Sequence, residues 1–449
     1  MLKREDNEKL TQTGPGTPLG KLMRSYWQPA ALVSEMPEDR PVKAIRLMSE
    51  DLVLFKKEDG GWGLISRFCA HRGVDLSYGR LEDSGLRCLY HGWLYASDGF
   101  CKEQPAEPAH SQFTNKIRIS NYPCEERNGI IFAYLGAGDP PPFPDYDCFI
   151  APEEHTFAFK GLWDCNWLQG LEGGIDPSHV SFLHRFIEED PRETYGQQFA
   201  EEVEGTGKTL SKLVGDSYRP DIEVENADHG LRVFALRQLD EETKHVRITN
   251  LMFPNAFVVP FGGTKVFAQW HVPVDDETHY WYMIWYDFKD TVDKDTLLRQ
   301  RLAEVTLPDY RPLRNKSNNW GFDAREQKEV TYTGMGLDIN VHDQWAVESM
   351  GPIQDRTVER LGVSDRAVTA NRRLLLKAIE GFEAGNPLPS QAYDAASAAR
   401  LTGPTAFDTI APTERWQESW QEAEAQRRAA SPWASRHGAA NAVKADVDA

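Results

Sequence analysis

Cysteine is scarce in this chain, with six in 449 residues. Cys69, Cys88, Cys101, Cys124, Cys148 and Cys165 are too few and too scattered to frame a secreted disulfide scaffold. A reducing, cytoplasmic compartment is therefore expected. No uninterrupted apolar run approaches the roughly 18 residues that a bilayer crossing needs, so no membrane span is expected. Residues 1–25 are charged and broken by Thr13-Gly14-Pro15-Gly16-Thr17-Pro18. They carry no apolar stretch of the kind a secretion signal requires. Basic residues fall short of acidic ones, 50 against 69, for a formal net charge of −19. That is the wrong balance for binding nucleic acid or an anionic membrane. A nucleotide-binding glycine loop is also missing. Gly14, Gly16 and Gly20 fit no GxGxxG spacing, and Leu22 stands where a P-loop needs Ser or Thr after Lys21.

What is present is an ordinary globular balance of 40% hydrophobic and 27% charged residues, which excludes disorder over most of the chain. Aromatics reach 11%, enough to line large pockets. The length suits two or three domains. Four segments are expected. Residues 1–25 form a short helical lead. Residues 26–138 alternate short strands with Asp-Gly turns and read as a small all-β domain. The Pro-rich stretch 139–144 reads as a stiff, exposed connector. Residues 145–384 begin with helical signals and continue into long strands near 230–236, 246–252, 256–259, 264–271 and 280–286. They end on a helix near 365–383. This is an α+β domain in which helices close an antiparallel sheet. Residues 385–449 read as a tail with a surface helix near 414–428 and a disordered end, without chemistry.

The strongest chemical signal is Cys69-Ala70-His71, followed after sixteen residues by Cys88-Leu89-Tyr90-His91, with Arg72-Gly73 and Gly92-Trp93 directly after the two histidines. Each loop offers one thiolate and one imidazole. Such donors hold zinc or an iron–sulfur cluster. A zinc finger would normally pair Cys with Cys and His with His. One Cys and one His per loop suits a [2Fe–2S] centre with two thiolates on one iron and two imidazoles on the other. The glycines let backbone N–H groups approach the sulfides. This pair of loops resembles the Rieske motif of non-haem iron oxygenases. The resemblance implies cluster ligands at Cys69, His71, Cys88 and His91.

A Rieske cluster only moves electrons, so a second site is expected. Glu172-Gly173-Gly174-Ile175-Asp176-Pro177-Ser178-His179 leads to His184. Asp176 and His179 are three apart, neighbours on a helix. His179 and His184 are five apart, and on an ideal helix they would diverge by about 140°. A local π-type distortion is the expected remedy. Two imidazoles and a carboxylate from elsewhere would form the facial triad of a non-haem Fe(II) centre, with open positions for O₂. The segment Ile339-Asn340-Val341-His342-Asp343-Gln344-Trp345-Ala346-Val347-Glu348 is the best source of the third ligand. Asp343 is the expected choice, with His342 and Glu348 as rivals. Taken alone, Asp343 would read as a helix N-cap, and Asp176 as a cap before Pro177.

Asn166–Gly174, Asp176–His179, Glu348-Ser349-Met350-Gly351-Pro352-Ile353-Gln354-Asp355-Arg356 and Leu361-Gly362-Val363-Ser364-Asp365 resemble the phthalate-dioxygenase-like branch of these oxygenases, over about residues 7–384. The resemblance implies a helix-grip catalytic domain of the START/Bet v1-like kind, with mononuclear iron at His179, His184 and Asp343. It assigns Asp176 a bridging role, accepting hydrogen bonds from His179 and from His91 of a neighbouring subunit. Head-to-tail trimers, single or stacked, and a separate NAD(P)H-dependent reductase, with or without a ferredoxin, are expected partners. Ring cis-dihydroxylation of an aromatic carboxylate is the expected reaction. O-demethylation of a methoxylated, lignin-derived acid is the alternative. A non-catalytic Rieske electron-transfer or ligand-binding protein is the third reading. An acidic substrate needs a cationic partner, and bidentate Arg suits a carboxylate. Arg237 and Arg247, on strands facing the iron, are the expected anchors, with Arg219 and Arg232 as substitutes; any one of them alone reads as a solvated surface residue.

Overall fold

A computed structural model describes residues 1–187, 202–203 and 206–436. Two short helices, Arg4–Thr11 and Pro18–Arg24, lead the chain. Their apolar residues Leu10, Leu19, Leu22 and Met23 are fully buried in the main core. This lead is therefore part of the body of the protein.

The N-terminal β domain divides its work between two regions. Its base pairs Gln28–Leu32 with Ile130–Ala133 and Cys124–Arg127. Gln28–Leu32 and Ile130–Ala133 are buried on both faces and pack onto the second domain, where Phe132 meets Trp270 edge-on at 5.6 Å. The distal region is a small four-stranded sheet, Arg80–Glu82, Gly85–Arg87, Leu94–Tyr95 and Cys101–Glu103. It shares an apolar cluster with the sheet of Val42–Leu47, Glu50–Lys56, Trp62–Ser66 and Asn121–Tyr122, where Val53, Phe55 and Ile65 join Cys69, Cys88, Trp93 and Tyr95. The connector is pinned where exposure was expected. Phe143 stacks on Trp27 at 4.6 Å, and the Trp27 indole N–H donates to the Pro141 carbonyl at 2.8 Å.

The second domain is an eight-stranded antiparallel sheet. Thr156–Trp163 lies at one edge, followed by His279–Asp287, Lys265–Pro273, Ala256–Pro260, Thr243–Met252, Gly230–Gln238 and Asp221–Ala227. The helix Trp167–Ile175 lies against this sheet, its start capped by the Asn166 side chain, which accepts from the Leu168 N–H. Two glycines allow the close approach. A methyl on Gly170 would lie 2.4 Å from the His271 ring, and one on Gly174 would lie 2.0 Å from the Phe257 ring. A second helix, Ile339–Glu348, crosses nearby. The Gln169 amide donates to its Val347 carbonyl at 2.8 Å.

The tail reading needs correction. Phe407–Pro412 pairs with Thr243–Met252 and completes the sheet. The helix Trp416–Ala430 then covers the outer face, with Trp416 packed against Phe234 at 5.1 Å and Trp420 against it at 5.8 Å. Residues 385–436 thus belong to the catalytic domain. The end of the tail expected to be disordered, 437–449, lies outside the described residues.

Candidate metal centres

The two Cys–His loops are built alike. In each, a glycine four residues after the cysteine adopts φ +74°, and its N–H donates back to the cysteine carbonyl: Gly73 to Cys69 at 2.8 Å, Gly92 to Cys88 at 3.0 Å. Glycine takes this left-handed turn without steric cost. Each cysteine N–H donates to the carbonyl five residues on, Val74 or Trp93, closing a compact hook. The two sulfurs point inward and the two imidazoles outward. Cys69 and Cys88 are each 3% exposed, whereas His71 lies at the surface and His91 is half-buried. The imidazoles face one another with ring centres 4.5 Å apart, and His71 stacks on the indole of Trp93 at 4.6 Å.

One contact was not anticipated from the sequence. The Tyr95 hydroxyl lies 3.2 Å from the Cys69 sulfur and 3.1 Å from the Ala70 N–H. Its oxygen accepts from the amide, so its proton is free to donate to sulfur. Burial pushes the Cys88 thiol above its ordinary pKa, while the N–H groups of Tyr90 and His91 oppose that shift. Such a pocket favours a thiolate whose charge is neutralised by a metal.

The second constellation assembles as the sequence suggested, by a different local route. The Trp167–Ile175 helix stops at Asp176, which is its C-cap rather than a helical neighbour of His179. No π-type turn follows. His179–Ser181 is one 3₁₀ turn, and the N–H groups of Phe182 and Leu183 both donate to the His179 carbonyl, at 3.0 and 2.8 Å. This tight coil carries His184 back toward His179, with the Nε2 atoms 3.2 Å apart. Asp343 enters from the Ile339–Glu348 helix. Its Oδ1 is 3.3 Å from His184 Nε2 and 3.7 Å from His179 Nε2. Among the described residues these three form the one group of at least three His, Cys, Asp or Glu whose ligand atoms all lie within 4.8 Å.

The rivals for the carboxylate position are otherwise engaged. Glu348 accepts from the Asp164 N–H, the Trp320 indole and the Gln344 amide. His342 lies behind His184, away from the shared point. The helix cap here is Asp338, so Asp343 has no capping duty.

The hydrogen bonds define the imidazole tautomers. His179 Nδ1 lies 2.6 Å from the Asp176 backbone carbonyl, which can only accept. Its proton is therefore on Nδ1, and Nε2 presents a bare lone pair. Burial first, and then the facing His184, lower the His179 pKa and keep the ring neutral. Burial alone would raise the Asp343 carboxyl, but the imidazoles of His184, His179 and His342 hold it below the ordinary range. Two imidazole nitrogens and a carboxylate aimed at one point fit a divalent iron site.

Asp176 departs from expectation in one detail. The backbone carbonyl of Asp176, rather than its carboxylate, takes the His179 hydrogen bond. The carboxylate Oδ2 is 3.9 Å from His179 Nδ1, and Oδ1 accepts from the Ser178 N–H at 2.8 Å. The side chain is 23% exposed.

The arginines separate clearly. Arg247 already has a carboxylate: it donates to Asp408 Oδ2 at 2.6 Å and to the Pro260 carbonyl at 3.0 Å. Asp408, from the C-terminal strand, also receives His245 at 2.9 Å. The expectation for Arg247 as a substrate anchor is therefore withdrawn. Arg237 is 1% exposed and donates only to two backbone carbonyls, Ser217 at 3.1 Å and Pro177 at 3.2 Å. Its Nη1 has no partner among the described residues. Burial and the neighbouring Arg247 push its pKa down to about 10, still leaving it charged at neutral pH. The substitutes are placed elsewhere: Arg232 lies over Trp420 on the outer face, and Arg219 against Tyr218.

Comparison with known proteins places both domains in known families. Residues 26–123 match the Rieske [2Fe-2S] domain family, and residues 133–439 match the LigXa C-terminal domain-like family. The chain is 37% identical over 400 residues to the phthalate 4,5-dioxygenase oxygenase subunit of Pseudomonas putida, covering 86% of this chain and 88% of that one. The chain belongs to the phthalate-dioxygenase-like Rieske oxygenases. As a member it is an oxygenase component, carrying a Rieske [2Fe–2S] cluster and a mononuclear iron site in its catalytic domain. It is also 32% identical to the 5,5'-dehydrodivanillate O-demethylase oxygenase subunit of a Sphingobium species, covering 86% of this chain and 82% of that one. Among solved structures, the carbazole-bound oxygenase in complex with the ferredoxin of carbazole 1,9a-dioxygenase shares the fold. It has a TM-score of 0.55 and 21% identity, covering 85% of this chain and 95% of that one. The family match reaches residue 439, so it includes the C-terminal segment that the sequence reading had set aside.

Proposed function

We propose that this oxygenase component acts on an aromatic carboxylate, adding both atoms of O₂ to the ring as a cis-diol, and that Arg237 binds the carboxylate. Arg237 carries this reading. It is a buried cation whose Nη1 has no partner among the described residues, and one of its hydrogen bonds reaches Pro177, two residues before His179. A buried guanidinium N–H without a hydrogen-bond partner is costly. An incoming carboxylate removes that cost and is oriented by the guanidinium plane.

Cys69, His71, Cys88 and His91 would hold the cluster, and His179, His184 and Asp343 the mononuclear iron. Iron bound there supplies O₂ activation, driven by electrons received one at a time. The chain's own residues turn the His179 Nε2 lone pair toward that point, hold the Asp343 carboxyl below its ordinary range and exclude water around His184, which is 2% exposed. The Asp176 carboxylate is proposed to meet His91 of a neighbouring subunit in a head-to-tail trimer. A separate NAD(P)H-dependent reductase, with or without a ferredoxin, would supply the electrons. A cytoplasmic setting fits six cysteines that are all free of disulfides. O-demethylation of a methoxylated aromatic acid is the second reading, favoured by the similarity to the dehydrodivanillate enzyme subunit. A non-catalytic Rieske protein is disfavoured by the intact His179–His184–Asp343 group.

The test is Arg237→Ala, assayed with a surrogate reductase and a panel of aromatic acids and their neutral amides. A hydrogen bond to a charged group contributes about 1.5–3 kcal/mol. KM for the acid should therefore rise roughly ten- to a hundredfold, with metal content unchanged and KM for the amides little altered. Equal KM for acid and amide in the wild-type protein would overturn the assignment. A cis-diol product supports dihydroxylation, and formaldehyde supports demethylation.

A further inference from the structure

The His342 ring is fully buried on the helix that carries Asp343, yet it does not face the point shared by the three candidate ligands. Its Nε2 lies 2.8 Å from the Gly336 carbonyl. A carbonyl can only accept, so the proton is on Nε2 and Nδ1 carries a lone pair. That lone pair meets Nδ1 of His184 at 3.5 Å, and the two rings lie at 23° to one another with centres 5.7 Å apart. An acceptor at this position requires the His184 proton on Nδ1. His184 Nε2 is then bare, and it is this atom that lies 3.3 Å from Asp343 Oδ1. The chain Gly336 carbonyl, His342, His184 runs in one direction only.

We infer that His342 is a positioning residue for the mononuclear site: it fixes His184 in the tautomer that offers Nε2 to the metal. This rests on the reading of His184 as a ligand. His179 reaches the same tautomer by a cheaper device, the adjacent Asp176 carbonyl at 2.6 Å. His184 sits in the coil after the 3₁₀ turn, so its partner comes from the distant helix. The Asp343 helix thereby supplies both a ligand and the group that orients a second ligand. Partners of this kind typically contribute roughly ten- to a hundredfold in metal affinity.

The test compares His342→Leu with His342→Gln in the cluster-loaded full-length protein. Fe(II) and Co(II) affinities of the mononuclear site are measured by competition with a chelator, and the visible spectrum of the cluster serves as an integrity control. A glutamine can donate its amide to Gly336 and accept from His184, whereas leucine can do neither. The expected result is a loss of roughly ten- to a hundredfold in affinity for the leucine variant, substantial rescue by glutamine, and an unchanged cluster spectrum in both. Equal affinity of the leucine variant and the wild type overturns the inference. So does an equal loss in both variants, which would point to packing alone. Where the leucine variant fails to fold, the Co(II)-loaded wild-type protein decides. Exchangeable ring N–H resonances from both coordinated imidazoles support the tautomer argument, and absence of the His184 resonance overturns it. Failure of wild-type protein to bind either metal would instead remove the ligand assignment on which the inference stands.

Discussion

In the N-terminal domain, the four candidate cluster ligands come from two hooks, with sixteen residues between His71 and Cys88, each closed by its own backbone and a left-handed glycine. In the catalytic domain, two imidazoles come from one coil, while the carboxylate arrives on a helix whose His342 is 158 positions from His184. The first site is folded locally; the second exists only when the sheet, the Trp167–Ile175 helix and the Ile339–Glu348 helix are all in place. Local construction leaves a spacing pattern, and distributed construction leaves scattered residues that acquire meaning from the fold. The two sites should therefore fail independently. Cys88→Ser should abolish the visible and EPR signature of the cluster, and with it reductase-driven turnover, while the mononuclear site still takes up Fe(II). Asp343→Ala should do the reverse, leaving the cluster spectrum intact and removing mononuclear iron. Metal analysis alongside EPR reads both, and simultaneous loss of both metals in either variant would break the contrast.

The same difference explains what could be read from the sequence. Cys69, His71, Cys88 and His91 were legible because their chemistry is contained in their spacing. The pairing of His179 with His184 was legible as residue types, but the means was not. A five-residue separation suggested a distorted helix, whereas the chain ends its helix at Asp176 and closes a 3₁₀ turn instead. Arg237 and Arg247 were indistinguishable, since both lie on one sheet face of adjacent strands. What separates them is Asp408, contributed by a strand from a segment whose Ala- and Glu-rich composition reads as a tail. Likewise Arg356 and Arg372 converge on the buried Glu172 carboxylate, joining the Trp167–Ile175 helix to the C-terminal half, and no local pattern announces such a meeting.

Acid should separate the two regions next. His229 and His279 are buried in the catalytic domain, and burial pushes each pKa down to about 4. In the unfolded chain these groups protonate near 6.5. Between those values the unfolded state binds more protons, so stability is full above about pH 6.5 and falls as pH drops toward 4. Each group contributes about 1.4 kcal/mol per pH unit within that window. The histidines of the N-terminal domain, His71, His91 and His110, are exposed or half-buried. Thermal melts at pH 7.5, 6 and 5 should show Tm falling with pH when followed by near-UV circular dichroism. The slope should flatten in His279→Gln, whose amide can donate to the Cys165 carbonyl and accept from His271, as His279 does. A Tm constant over this range would show that these rings are not held neutral.

The finest test lies within the cluster domain, between its two hooks. Gly73 and Gly92 share the same φ of +74°, so an alanine at either must pay the left-handed conformation, about 1–2 kcal/mol. Their surroundings differ. A methyl at Gly73 meets nothing within 4 Å, whereas one at Gly92 lies 3.1 Å from the Pro105 ring. Gly73→Ala should therefore show the strain alone. Gly92→Ala should show the strain plus displacement of Pro105, and should lose cluster absorbance at a lower temperature. Equal melting of the two variants would mean that the Pro105 loop yields freely, leaving the second hook held by its backbone hydrogen bonds as fully as the first.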